Sequence, residues 1–244
     1  MAISIGLLAL LYAAYAAVVF VNQRRLIYYP THGEPGTALE PWAEGGRIIG
    51  YCRPAGHPRA VWLMAHGNGG QASQRGYVLA HMAPDEALYV LEYPGYGLRG
   101  GTPSMASMNR AAAEAYQALR REHPGTPVCV LGESIGSGPA SFLCTLAPPP
   151  DKLVLVVPFD VFASVASEHM PLLPVRLLLR DAWDNVEALR GYRGPVAIYG
   201  ARDDRIIPPR HARRLAARLP GAAYIEIEGG HNDWPDSGRV RIER

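Results

Sequence analysis

Val128-Cys129-Val130-Leu131-Gly132-Glu133-Ser134-Ile135-Gly136 is the stretch from which the fold of this chain can be read. Four apolar, β-favouring residues lead into G-x-S-x-G, and a small-residue run from Ser137 to Leu146 follows. A strand, a sharp turn and a helix in that order form a nucleophile elbow. The turn brings strand and helix so close together that glycines are needed at its two ends. It holds a serine hydroxyl at the sheet edge and at a helix N-terminus, where developing negative charge is stabilised.

The rest of the chain supplies the sheet that an elbow needs. Arg47–Ile49, Ala60–Ala65, Ala87–Leu91, Val128–Leu131, Leu153–Val157, Val196–Tyr199 and Ala222–Ile227 read as strands. Most are short, apolar and free of charge, as strands buried on both faces are. The last carries Glu226 and is expected nearer an edge. Met105–Arg121, Ser137–Leu146 and Pro209–Leu219 read as helices, with Ser104 as N-cap of the first. Strands alternating with helices predict an α/β fold with a mostly parallel sheet wrapped by helices. Phe159 to Arg193 is long enough to form a small helical cap.

Acyl transfer needs a nucleophile, a base, a group that orients the base and donors for an oxyanion. Ser134 is the candidate nucleophile. His231, in Gly229-Gly230-His231-Asn232-Asp233 just past the last strand, is the candidate base. The candidate acid follows the strand Val196–Tyr199. Counting from Gly200 favours Asp203; counting back from Pro208 favours Asp204, which is assigned here. Such a carboxylate fixes the imidazole tautomer that leaves the other ring nitrogen free to act as base. The expected oxyanion donors are the backbone amides of Ile135 and of Asn68, the latter in His66-Gly67-Asn68-Gly69-Gly70. That loop is not followed by Lys-Ser/Thr, as a nucleotide-binding loop would be.

Ile3 to Val21 is uncharged and apolar over roughly 19 residues, about 28 Å of helix, close to the hydrocarbon thickness of a bilayer. Arg24, Arg25, Tyr28 and Tyr29 follow, suiting a membrane–water interface. A cleaved signal peptide and a buried soluble helix are the competing readings. No Lys or Arg precedes the run, and it exceeds a usual signal h-region, so an uncleaved single-pass anchor over residues 1–25 is expected. The positive-inside rule places the domain on the cytoplasmic side. Residues 26–46, rich in Gly, Pro and Glu, read as a linker and entry segment, and 47–244 as the catalytic domain.

Composition narrows the function classes. The net charge of +2 comes from scattered arginines, with Lys152 the only lysine, so a nucleic-acid partner is not indicated. Cys52, Cys129 and Cys144 lack metal-ligand spacing and read as buried free thiols. No metal or organic cofactor is implied.

Six ordered motifs together resemble the α/β-hydrolase superfamily. They are His66-Gly67-Asn68-Gly69, Tyr93-Pro94-Gly95-Tyr96-Gly97, Gly132-Glu133-Ser134-Ile135-Gly136, Pro158-Phe159-Asp160, Asp204 with Pro208, and Gly230-His231-Asn232-Asp233. With the apolar N-terminus and Gln23-Arg24-Arg25-Leu26-Ile27-Tyr28-Tyr29-Pro30, the chain is similar to the small membrane-anchored branch related to abhydrolase-domain depalmitoylases. Leu98 departs from the small polar residue usual after Gly-Tyr-Gly. The resemblance implies a serine hydrolase acting on a small-molecule, lipid or acyl-protein ester or thioester through an acyl-enzyme. A peptidase or lipid hydrolase with the same triad, a cofactor-free lyase or haloperoxidase, and a catalytically silent binding scaffold are the alternatives.

Overall fold

The computed structural model describes residues 2–244. Eight strands among them form one sheet: β1 (Glu40–Glu44), β2 (Arg47–Arg53), β3 (Val61–Ala65), β4 (Ala87–Leu91), β5 (Val128–Glu133), β6 (Leu153–Val156), β7 (Val196–Ala201) and β8 (Ala223–Ile227). Their spatial order is β1-β2-β4-β3-β5-β6-β7-β8. β1, β2 and β4 pair antiparallel, and every pairing from β4 to β8 is parallel. The helices are α1 (Ala2–Ile27), α2 (Met105–Glu122), α3 (Ser137–Leu143), α4 (Phe162–His169), α5 (Val175–Leu178), α6 (Asn185–Ala188) and α7 (Arg210–Ala217).

Side chains alternate across the pleat, so each central strand feeds two cores. Val61, Leu63 and Ala65 face the layer that holds α2, α3 and α7. Trp62 and Met64 face the opposite layer, covered by the Ala72–His81 turn and by Trp234, Val240 and Ile242. This double burial is why these strands read as unbroken apolar runs. Ser104 caps α2 as expected: its hydroxyl accepts the Ser107 N–H, and the Ser107 hydroxyl accepts the Ser104 N–H.

Two expectations are corrected. The segment 26–46 is not a free linker, since Leu39 and Trp42 are buried and Glu40–Glu44 adds a strand. The sheet therefore begins at Glu40 rather than at residue 47. β1 escaped notice because it is an edge strand: only Trp42 of its residues points into the core, and Pro41 and two glutamates surround it. Tyr28 is not an interfacial aromatic. It is buried, with its ring edge-on to Trp183 at 6.3 Å, while Tyr29 stays exposed.

α1 is long and apolar enough to cross a membrane, with a mean hydropathy of 2.1 over Ile5–Ile27. The cap expected between β6 and β7 takes the form of the short helices α4, α5 and α6. Asn185 of α6 ties this region to the elbow by donating to the Ser137 hydroxyl at 3.1 Å and to the Phe159 carbonyl at 2.9 Å.

Candidate active site

Parallel pairing brings the carboxyl ends of β3, β5, β7 and β8 to one edge of the sheet. Ligands bind outside this edge in open α/β sheets. The loops leaving those strands carry Asn68, Ser134, Asp204 and His231. Residues spread over more than 160 positions of sequence thus meet above one edge.

The elbow is under local strain. Ser134 adopts φ +53°, a left-handed conformation that costs a non-glycine residue on the order of 1–3 kcal/mol. Two glycines let the strained turn pack. A Cβ on Gly132 would lie 2.7 Å from the Ala140 Cβ. A Cβ on Gly136 would lie 2.0 Å from the Ala65 carbonyl oxygen, in the backbone of β3, which has no room to retreat. The Ser137 hydroxyl closes the turn by donating to the Ser134 carbonyl at 2.7 Å.

Ser134 Oγ lies 2.7 Å from His231 Nε2, and His231 Nδ1 lies 2.6 Å from Asp204 Oδ2. The other carboxylate oxygen of Asp204 accepts the backbone N–H groups of Ile206 and Ile207, each at 2.8 Å. Asp204 is buried and locked in orientation by its own loop, while Asp203 is exposed to solvent. Of the two aspartates weighed from sequence, only Asp204 meets the imidazole.

Asn68 and Ile135 line the same cavity as Ser134 and His231. Among the described residues, no backbone carbonyl accepts the Asn68 backbone N–H. The Asn68 side chain fixes its loop: Nδ2 donates to the Ile27 carbonyl, and Oδ1 accepts from the Tyr29 N–H and the Tyr96 hydroxyl. Tyr93 donates to the His66 carbonyl at 2.7 Å. Thus both tyrosines of Tyr93-Pro94-Gly95-Tyr96-Gly97 brace the glycine-rich loop. Leu98 lies exposed just beyond them.

Glu133 is the residue that sequence reading passed over. It is buried directly before Ser134 and joins three loops. Its carboxylate accepts the Gly67 N–H at 2.8 Å, the Tyr77 hydroxyl at 2.9 Å and the Trp234 indole N–H at 2.8 Å. Burial pushes its pKa up, but Arg75 and these donors more than offset that and hold it below the usual carboxylate range. A carboxylate closing an apolar strand was the available signal, since a buried charge needs partners.

The cavity over Ser134 measures about 1020 Å³, at the upper end of small-molecule sites. Phe162, Val165, Met170, Leu173 and Leu178 of the cap region form much of its apolar wall. Among the described residues, its one lining carboxylate is Glu133, already committed to the donors above.

A family model described as "Serine aminopeptidase, S33" matches residues 56–174. An uncharacterized protein of Mycobacterium tuberculosis is 30% identical over 98% of this chain and 91% of its own length. Lysophosphatidylserine lipase ABHD12 of Mus musculus is 27% identical over 71% of this chain. This chain spans about half of that lipase, 48% of its length. Among solved structures, TT1662 of Thermus thermophilus superposes with a TM-score of 0.64 at 20% identity, over 83% of this chain and 93% of that one.

Proposed function

Because the chain belongs to the α/β-hydrolase superfamily and is a serine hydrolase within it, we propose that it cleaves a carboxylic ester or thioester through a covalent acyl-enzyme. The observation that carries this reading is the relay from Asp204 through His231 to Ser134, which opens into an apolar cavity.

His231 Nε2 takes the Ser134 proton as Oγ attacks the acyl carbonyl. Asp204 holds the imidazole in the tautomer with Nδ1 protonated and stabilises the imidazolium that forms. The amides of Asn68 and Ile135 receive the negative oxygen of the tetrahedral intermediate. Collapse expels the alcohol or thiol, which takes its proton from His231. Water, activated by the same base, then releases the acid and restores Ser134. α1 serves as the membrane anchor, with Arg24 and Arg25 in its last turn favouring a cytoplasmic domain.

An aminopeptidase must hold the free α-ammonium group of its substrate, and a carboxylate is the natural partner. The lining carboxylate among the described residues, Glu133, is buried and engaged, which favours ester over aminopeptide substrates. We expect the protein, in detergent, to hydrolyse aryl esters and an acyl thioester, with aminoacyl-arylamide turnover lower by at least about 10³-fold. A preference for the arylamide would overturn this reading.

Glu133 is a positioning residue in this scheme. It fixes the Gly67 amide next to Asn68, and it anchors Trp234 three residues past His231. Glu133→Gln keeps the shape but swaps an acceptor for a donor facing other donors. The expected result is a fall in kcat of about 10- to 100-fold with KM little changed, since loss of one oxyanion donor costs about 10²–10³. A rise in KM at unchanged kcat would assign Glu133 to substrate binding instead.

A further inference from the structure

One wall of the cavity comes from α1, the apolar N-terminal helix. Val19, Phe20, Gln23, Leu26 and Ile27 of α1 line the space above Ser134 together with residues of the cap. Specific contacts hold the cap against this helix. Gln23 accepts the Arg180 N–H at 2.8 Å and donates to the Leu178 carbonyl at 3.2 Å. Arg24 pairs with the buried Asp181 at 2.9 Å. The Tyr12 hydroxyl donates to the Leu172 carbonyl at 2.8 Å.

These contacts fix how far the cap extends along the helix. Tyr12 and Arg24 lie about 18 Å apart on the axis at 1.5 Å per residue, comparable to the roughly 15 Å of one leaflet's hydrocarbon crossed by a tilted helix. The cap tip therefore runs beside the apolar part of α1. Its sequence, Met170-Pro171-Leu172-Leu173-Pro174-Val175-Arg176-Leu177-Leu178-Leu179, carries one charge. Leu172 is 78% exposed and Leu177 is 85% exposed, next to a helix that is itself exposed and apolar. The Tyr12 hydrogen bond satisfies a loop carbonyl, as any backbone polar group in hydrocarbon requires. Arg176 has a stem long enough to carry its charge to the headgroups.

We propose that the tip at 170–179 is seated in the same leaflet as the C-terminal half of α1, and that long-chain acyl esters dissolved in that leaflet enter the cavity laterally, between α1 and the cap. The occupant of this surface is lipid, because the surface is continuous with a helix long enough to cross a bilayer. The lateral route rests on the ester-hydrolase reading above.

The test uses the full chain in nanodiscs of phosphatidylcholine with a minority of phosphatidylglycerol. The substrates are 4-methylumbelliferyl oleate, which dissolves in the bilayer, and 4-methylumbelliferyl acetate, which reaches the site through water. Leu172 and Leu177 are not among the residues lining the cavity, so the double variant L172D/L177D alters the surface alone. Oleate turnover is expected to fall at least about 10-fold, with acetate turnover held within about twofold. Unchanged oleate turnover, or equal loss on both esters, would overturn the proposal.

A second readout is independent of activity. Cys52, Cys129 and Cys144 are buried, so Leu177→Cys can be labelled selectively with bimane. Dibrominated lipid chains are expected to quench that probe, and an unquenched probe overturns the membrane seat. If the wild-type protein hydrolysed neither ester, the hydrolase reading would fail while the quenching still decided where the tip lies.

Discussion

Ser134→Ala is expected to lose at least about 10⁴-fold in ester turnover and to lose labelling by a fluorophosphonate probe, while remaining folded. The hydroxyl is the group that His231 Nε2 meets at 2.7 Å, and among the described residues no other side-chain oxygen is bonded to that nitrogen. Removing Oγ therefore removes the attacking atom and leaves the base without its proton donor. Alanine keeps the Cβ that already occupies the strained φ of +53°, so the elbow bears no new clash. The glycines that allow its packing, Gly132 and Gly136, are untouched. Circular dichroism and the thermal midpoint in detergent check the fold, and intact-protein mass spectrometry checks labelling. Undiminished ester turnover in this variant would remove Ser134 from the mechanism. Residual turnover well above the uncatalysed rate fits the scheme, because the Asn68 and Ile135 amides proposed as oxyanion donors and the cavity remain.

Asp204→Asn is expected to lower kcat by about 10³–10⁴-fold, whereas Asp203→Asn leaves it within about twofold. The asparagine carbonyl can still accept the Ile206 and Ile207 amides, which bind one carboxylate oxygen at 2.8 Å. Its amide nitrogen must then replace the oxygen that lies 2.6 Å from His231 Nδ1. A donor there demands an acceptor at Nδ1, which moves the imidazole proton to Nε2 and removes the base from Ser134. The charge that stabilises the imidazolium is lost as well. Asp203 offers no such contact and faces solvent. Steady-state kinetics of the two variants separate them, and the opposite ranking would transfer the acid role to Asp203.

Much of this architecture was legible in the residues. Buried parallel strands announce themselves as short apolar runs, because both faces are covered and no polar position interrupts them. Edge strand β1 hid for the complementary reason. With water on its open side, Trp42 alone carries its pattern. The cap helices α5 and α6 are too short for helical periodicity to register, and their form depends on contacts with α1 and α3. Tyr28 shows the same limit. Its side chain turns inward to Trp183 because the segment after α1 lies on the domain, and no local pattern encodes that docking.

The sequence alone determined the class of fold, the nucleophile candidate and the order of its partners, because strand burial, the glycine-flanked turn and the loop motifs are local properties of the chain. It favoured Asp204 over Asp203 on spacing alone, counted back from Pro208. Only the tertiary structure decided which carboxylate reaches His231, since adjacent residues of a loop point to different sides and only one direction faces the imidazole. It alone gave Glu133 its role, because that role exists only where three loops distant in sequence converge on one carboxylate. It alone placed α1 in the cavity wall, through hydrogen bonds from Gln23 and Tyr12 to a cap some 155–160 residues further along the chain.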